Sequence, residues 1–293
     1  MSLLTRFAPS PTGFLHMGHA LSALEVWGWA RANDATVLLR IEDIDHLRCR
    51  SGYEAAIFED LAWLGLQWPE PVLRQSHHIS RYREIMDRLR TAGLIYPCFC
   101  TRSEIRNDAV EAGHEGPIYG GRCRRFRAND AEKRIADGEP AAWRLKLDEA
   151  LASAGDINWT DSTAGPQHWD GQGWGDVVLA RKDIGLSYHV AVTADDATQS
   201  ITDVVRGEDL FQATHIHVVL QRLMGWSTPS YHHHRLLLDD GGTKLSKRTG
   251  AERLRDIADQ MGGRDAFLDH LRELGISSSF FDHLGTVSVG PDE

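Results

Sequence analysis

A short apolar run, Thr5 to Ala8, is broken at once by Pro9-Ser10-Pro11-Thr12-Gly13 and followed by a helical pattern from about His19 to Ala32. Two prolines in three residues remove backbone donors and fix φ, so regular structure cannot run through the loop. In the helical pattern Leu21, Leu24, Val26 and Trp27 supply the apolar positions. Val37 to Ile41 is a second run of strand length, and it ends in the charged Glu42-Asp43-Ile44-Asp45. Strand, loop, helix, strand is a βαβ unit, and its charged tip falls where open α/β sheets gather ligands, at the carboxyl ends of the strands. The expected fold class is therefore α/β with a doubly wound parallel sheet.

Further along, Ser51 with Glu54 fits a capping box that opens a helix toward Leu64, and a helix from about Ser80 to Ala92 precedes Tyr96-Pro97-Cys98-Phe99-Cys100. Thr101 with Glu104 is a second capping-box match. From Ala109 to Gly175 strong periodicity fades and Gly, Asp and Trp abound, which reads as an insertion of short strands and loops. Asp176 to Ala180, His189 to Thr193 and Ile201 to Arg206 read as strands, Phe211 to Met224 as a helix, and Arg235 to Leu238 as a strand entering a Gly-rich loop. His232 to His234 lie between apolar segments and are no purification tag, while the end, with Gly285, Gly290 and Pro291, is expected to fray.

At 293 residues the chain suits one domain with a sizeable insertion, or two domains. No run of about 18 apolar residues occurs and the start lacks the features of a secretory signal, so a cytoplasmic protein without a membrane partner is expected. A net charge of -10 argues against nucleic acid, whose phosphates need clustered Lys and Arg, but a local face can be basic in an acidic protein, and Arg122, Arg124, Arg125 and Arg127 form one such cluster. A solvated charged turn is the competing reading of that cluster. Of the four cysteines, Cys98, Cys100 and Cys123 group together in a chain expected to stay reduced, which suggests metal; Cys49 is left over.

His16-Met17-Gly18-His19 sets two imidazoles three apart at a helix N-terminus, beside backbone N–H groups that favour anions. Gly18 removes a side chain so that a flat ring or a phosphate can approach the backbone. Lys244-Leu245-Ser246-Lys247-Arg248, after Asp239-Asp240-Gly241-Gly242, supplies ammonium groups on a loop, and phosphoryl or nucleotidyl transfer depends on such charge stabilisation. Each element alone is also compatible with structural histidines or solvated lysines. Together, in this order around an α/β core, they point to ATP chemistry.

The blocks Phe7-Ala8-Pro9-Ser10-Pro11-Thr12-Gly13, His16-Met17-Gly18-His19, Arg40-Ile41-Glu42-Asp43-Ile44-Asp45, Val205-Arg206-Gly207-Glu208-Asp209-Leu210 and Lys244-Leu245-Ser246-Lys247-Arg248 resemble the ordered blocks of glutamyl-tRNA synthetases over nearly the whole chain. The resemblance implies a class I synthetase Rossmann-like fold that joins L-glutamate to the α-phosphate of ATP with Mg²⁺. His16, His19, Lys244 and Lys247 take the catalytic positions, and His16, Gly18, His19 and Lys247 the ATP-binding ones. Glutamate offers two carboxylates and one ammonium, so its pocket needs guanidinium clamps and an acid. Arg6 and Arg206 are the candidate clamps, Glu42 the ammonium partner, and Ser10 and Tyr188 neutral walls; these positions also match the family's.

Cys98, Cys100, Cys123 and Tyr119 resemble the Zn²⁺ knuckle of the truncated paralogues in this family, in which Tyr completes the set. His114 is the ordinary alternative for the fourth ligand, and three buried thiols without metal is the other reading. Those paralogues pass activated glutamate to queuosine in the anticodon loop of tRNA(Asp). The expected segments are a first core half at 1–95, a zinc-bearing insertion at 96–175, a second core half at 176–250 and a helical tail at 251–293 without an anticodon-binding domain. A monomer is expected. Two alternatives remain: an atypical glutamyl-tRNA synthetase charging a tRNA 3′ end, and a non-catalytic RNA-binding paralogue, in which the ATP blocks would serve no purpose.

Overall fold

Pro9 and Pro11 end the first strand where the sequence breaks, and the chain turns into a helix that begins at Met17, two residues before the expected start. The computed structural model describes residues 2–109, 111–114, 116–236 and 252–273. The loop carrying Lys244 and Lys247, and the segment with Gly285, Gly290 and Pro291, lie outside the described residues.

In chain order the first elements are β1 (Leu4–Phe7), α1 (Met17–Ala32), β2 (Thr36–Ile41), α2 (Ser51–Trp63), β3 (Leu73–Arg74), α3 (Ile79–Thr91), β4 (Ile95–Cys98) and α4 (Arg102–Asn107). Next come β5 (Ala112–Gly113), β6 (Gly116–Pro117), α5 (Ala128–Ala136), β7 (Ala142–Leu145), α6 (Leu147–Ala154), β8 (Ile157–Asp161), β9 (Gly165–Trp169) and β10 (Val178–Ala180). Then follow α7 (Tyr188–Thr198), β11 (Asp203–Gly207), α8 (Ala213–Met224), β12 (Ser230–His234), α9 (Leu254–Gln260) and α10 (Arg264–Glu273). They fall into two compact units, one of Met1–Ser76, Ile201–Leu210 and Pro229–Glu293, the other of His77–Ser200 and Phe211–Thr228.

The first unit is the parallel α/β core. β1 pairs with β2 from Leu4 opposite Thr36 to Phe7 opposite Leu39, β2 pairs with β3, and β11 pairs with β12, all in parallel. The Thr202 amide donates to the Leu4 carbonyl at 2.9 Å and the Leu4 amide to the Thr202 hydroxyl at 2.8 Å, which brings the chain into β11 alongside β1. Leu21, Leu24 and Trp27 of α1 bury against Phe7, Leu39 and Ile41, with Ile57 and Leu61 of α2 and Phe267 and Leu271 of α10 in the same cluster. Each such side chain contributes roughly 1.5–3 kcal/mol when fully buried. Leu24→Ala would leave a cavity costing about 2–5 kcal/mol. Ser51 does not cap α2: Arg50 holds the N-cap without a side-chain bond, and Glu54 instead accepts from Arg74 Nε at 2.6 Å.

In the second unit β10, β7 and β4 form an antiparallel sheet with β7 in the centre, and β8 and β9 form a hairpin. The Asp161 carboxylate closes that hairpin by accepting the Thr163 and Ala164 amides, each at 2.9 Å. Two readings of the sequence are corrected in this unit. The stretch 109–175 holds the helices α5 and α6 as well as short strands. His189 to Thr193 belongs to α7, not to a strand; every residue from His189 to Asp196 is buried, so the apolar run carries no helical alternation for a sequence to display. Thr101 and Glu104 do form the expected capping box, at the start of α4. In the first unit Arg235 and Leu236 follow β12 without continuing it, and the three histidines are its last residues. No described helix is long and apolar enough to cross a membrane.

Candidate active site and candidate metal centre

His16 has extended backbone (φ −131°, ψ 177°) and is the N-cap of α1. Its Nδ1 accepts the Gly18 amide at 3.1 Å, and His19 Nδ1 accepts the His16 amide at 3.2 Å. This is a capping box in which imidazoles replace the usual Ser/Thr and Glu/Gln. The two rings lie 3.9 Å apart at 44°. With Nδ1 accepting in both, each neutral ring carries its hydrogen on Nε2. Two such donors therefore stand at the positive end of a helix with no acid in its first turn, which suits a polyanion.

At the carboxyl ends of the neighbouring strands stand three of the five candidate glutamate-binding residues. Arg6 on β1 is 4% exposed and donates from Nη1 to the Val205 carbonyl at 3.4 Å. Arg206 on β11 is 5% exposed; its Nε donates to His233 Nε2 and its Nη2 to the Leu210 carbonyl, both at 3.2 Å, with Tyr231 beneath the guanidinium. Glu42, just past β2, is buried, its amide donating to the Pro9 carbonyl at 3.1 Å and its Oε1 accepting from Arg40 Nη2 at 3.3 Å. Ser10 is exposed in the turn, its carbonyl accepting the Thr12 amide. Tyr188 belongs to the second unit, where it opens α7 with its ring against His189 and His217.

Sequence reasoning passed over Arg40 and His233. Arg40 is fully buried, and the signal was a lone charge inside the apolar run Val37 to Ile41, which has to be partnered if that run is a strand. His233 had no such signal, because which of three consecutive histidines faces Arg206 depends on the parallel register that sets Arg206 opposite His233.

In the second unit Cys98, Cys100 and Cys123 are buried with their sulfurs within 4.8 Å of one another. Cys98 ends β4, Cys100 follows two residues on, and Cys123 sits in the 3₁₀ turn Arg122–Arg125. The Tyr119 hydroxyl lies 3.2 Å from Cys100 Sγ and accepts the Cys123 amide at 2.7 Å, while the Phe99 amide points at Cys123 Sγ at 3.4 Å. Burial pushes the Cys100 thiol up to about 11, against the hydrogen bond from Tyr119. Burial also acts to raise Cys123, but its bonds to the Tyr119 hydroxyl and the Phe99 amide prevail and hold it below its ordinary value.

This donor set fits Zn²⁺: sulfurs of one tetrahedron at bonds of 2.3 Å are about 3.8 Å apart, and Cys100 and Cys123 stand 3.4 Å apart. Tyr119 is the oxygen beside them. His114 is not part of the group; it is exposed at the β5–β6 turn with its ring 6.1 Å from Trp174. Of the arginine cluster, Arg122 is paired with Glu104 at 3.2 Å and Arg124 with Asp148 and Glu149 at 2.6 and 2.9 Å.

The family described as tRNA synthetases class I (E and Q), catalytic domain, matches residues 2–287. The chain is 44% identical over 271 residues to a protein of Rhodobacter capsulatus named glutamyl-Q tRNA(Asp) synthetase, covering 86% of this chain and 93% of that one. It is 37% identical over 275 residues to the glutamate–tRNA ligase of Aquifex aeolicus, covering 93% of this chain and 57% of that one. A crystal structure of a glutamate tRNA ligase from Elizabethkingia meningosepticum in complex with its amino acid superposes with a TM-score of 0.70 at 30% identity, covering 85% of this chain and 53% of that one. The chain thus spans little more than half the length of these two glutamate ligases. Parallel core, histidine-capped helix and matched sequence agree: the chain is a ligase and belongs to the class I tRNA synthetase family for glutamate and glutamine.

Proposed function

We propose that the chain uses ATP to convert L-glutamate to glutamyl-adenylate and passes the glutamyl group to queuosine in the anticodon loop of tRNA(Asp). The observation that carries this reading is the pairing, within one unit, of the His16–His19 helix cap with buried Arg6, Arg206 and Glu42 at the strand ends. Two guanidinium groups and one carboxylate complement an amino acid with two carboxylates and one ammonium. The acceptor assignment is supported by the Rhodobacter relative's name and by a Leptothrix cholodnii relative of the same name at 42% identity.

In this reading Arg6 and Arg206 grip the carboxylates and Glu42 holds the ammonium, with Ser10 as a neutral wall. The α-carboxylate oxygen then bonds to the α-phosphorus as the bond to pyrophosphate breaks. His16 and His19 donate from Nε2 to phosphate oxygens, Gly18 leaves room for the nucleotide, and Lys244 and Lys247 offset the charge that builds on the leaving group. Mg²⁺ bound with the nucleotide would supply further charge neutralisation. A hydroxyl of the queuosine ring next adds to the glutamyl carbonyl and AMP leaves; because an adenylate is already activated, alignment suffices without a dedicated base. Cys98, Cys100, Cys123 and Tyr119 hold Zn²⁺ as a structural ion.

A second reading, charging of a tRNA 3′ end, is favoured by the match to the Aquifex ligase over 93% of this chain. Radiolabelled glutamate and ATP offered with tRNA(Asp) carrying queuosine, and with the same tRNA lacking it, separate the two. Label confined to the queuosine-bearing tRNA supports the proposal. Label on queuosine-free tRNA(Glu) supports the other.

A further inference from the structure

Among the described residues, Arg144 is a buried cation without an acidic partner. It lies on β7 opposite Tyr96, two pairs along from Cys98 opposite Ala142, and is 7% exposed. Its hydrogen bond runs from Nη1 to the backbone carbonyl of Asp176 at 2.7 Å, its Nε is buried without a partner, and among the described residues it makes no ion pair. The Asp176 carboxylate is already engaged by the Tyr96 hydroxyl at 2.7 Å, the Leu147 amide at 3.0 Å and Arg124 at 3.6 Å. A charge removed from water in this way is costly unless something compensates it.

The guanidinium does cover the face of Tyr119, with its carbon 4.3 Å from the ring centroid. The hydroxyl of that ring is the one lying 3.2 Å from Cys100 Sγ. Two arginines near these thiols, the exposed Arg122 and the half-buried Arg134, are already paired with Glu104 and Glu139. Three thiolates around a dication leave one negative charge before the fourth ligand is counted. Among the described residues beside that cluster Arg144 is the buried cation without an ion pair, while Lys182, which donates to the Phe99 carbonyl at 2.7 Å, is exposed.

We infer that Arg144 is the counter-cation of the metal centre: its guanidinium, laid on Tyr119, balances the charge that the three cysteine thiolates leave around Zn²⁺ and holds the phenol ring against Cys100. Arg144 touches neither substrate nor metal and acts as a positioning residue through Tyr119. The inference rests on the metal reading of the cysteine cluster and is independent of the glutamate chemistry. Its consequence is a change of sign. Without metal the guanidinium is a buried charge lacking a partner, so losing it is neutral or stabilising; with metal, losing it strips the site of its counter-charge.

The test is zinc affinity by chelator competition, together with thermal unfolding of the full chain with and without zinc, for wild type, R144M, R144K and R122Q. R144M should bind zinc about 10- to 100-fold more weakly, the range typical of groups just outside a metal's ligands. It should melt at or above the wild-type temperature without zinc and below it with zinc. R144K, which keeps the charge but loses the planar stack, should fall between wild type and R144M, and R122Q should bind as wild type does. Wild-type affinity in R144M, an equal loss of stability with and without zinc, or R144K binding as weakly as R144M would overturn the inference. A wild-type protein that takes up no zinc removes the metal reading along with it, an outcome visible before any variant is compared.

Discussion

His16 and His19 cap one helix between them: the Nδ1 of one accepts the Gly18 amide, the Nδ1 of the other accepts the His16 amide, and the rings rest 3.9 Å apart. The same bonds that start α1 therefore turn both Nε2 atoms outward from the cap as donors. Fold and chemistry are tied to the same two side chains, and they can be pulled apart by choosing what replaces them.

Asn is a good N-cap but offers no imidazole, so His16→Asn should leave the thermal unfolding temperature nearly unchanged, whereas His16→Ala should cost about 1 kcal/mol, or roughly 2–4 °C. Both should lower glutamate-dependent pyrophosphate exchange by about 100-fold, the effect of removing one preorganised donor. Full exchange in His16→Asn would confine His16 to capping.

Arg206→Ala should raise KM for glutamate by at least about thirtyfold, since truncating a buried charge partner costs about 2 kcal/mol or more. KM for ATP should stay within about twofold. Arg206→Lys should not rescue, because Lys cannot reproduce the two bonds that Arg206 makes from Nε to His233 and from Nη2 to Leu210. Unchanged glutamate KM in Arg206→Ala would take this residue out of the pocket.

The core was legible where local and tertiary signals agree. Proline-bounded Thr5 to Ala8, the periodic helix after it and the apolar Val37 to Ile41 all appear within a residue or two, because each pattern arises from burial on one unit's parallel sheet. It was not legible at His189 to Thr193, where β-branched residues mimic a strand and burial on almost every side of α7 erases the helical period. The capping role of His16 was invisible because imidazole is not among the usual cap side chains. Spacing flagged Cys98, Cys100 and Cys123 but could not choose between Tyr119 and His114; the turn after Gly121, at φ 75°, brings Cys123 back to the end of β4, with Tyr119 beside it.

Removing metal tests that choice. Chelation, or Cys123→Ser, should lower the stability of the zinc-loaded protein by several kcal/mol, about 4 kcal/mol where free zinc exceeds its Kd a thousandfold. Tyr119→Phe should weaken zinc binding at least about tenfold, and His114→Ala should leave it unchanged. The reverse pattern would return His114 to the site.

Acid should weaken the second unit through His215. Burial, and then the nearby charge of His114, lower its pKa from 6.5 to about 4, while Trp159 Nε1 donates to its Nδ1 at 3.1 Å and Trp169 stacks on it at 4.9 Å. The folded state thus binds fewer protons than the unfolded state between these two values, so stability rises with pH there and is lost as pH falls from 6.5 toward 4, by up to about 3 kcal/mol. His215→Asn, which keeps an acceptor for Trp159, should flatten this part of the curve in denaturant titrations across that window. An unaltered slope would assign the acid sensitivity to other groups.

Activation of glutamate with ATP is proposed for one α/β unit. Its most direct measurement is ATP–pyrophosphate exchange by the purified full chain in the absence of any RNA. Exchange should depend on glutamate, fall sharply when glutamine is offered instead, and drop about 100-fold in His16→Asn. A folded protein that exchanges no pyrophosphate with glutamate, or does so equally with glutamine, contradicts the proposal.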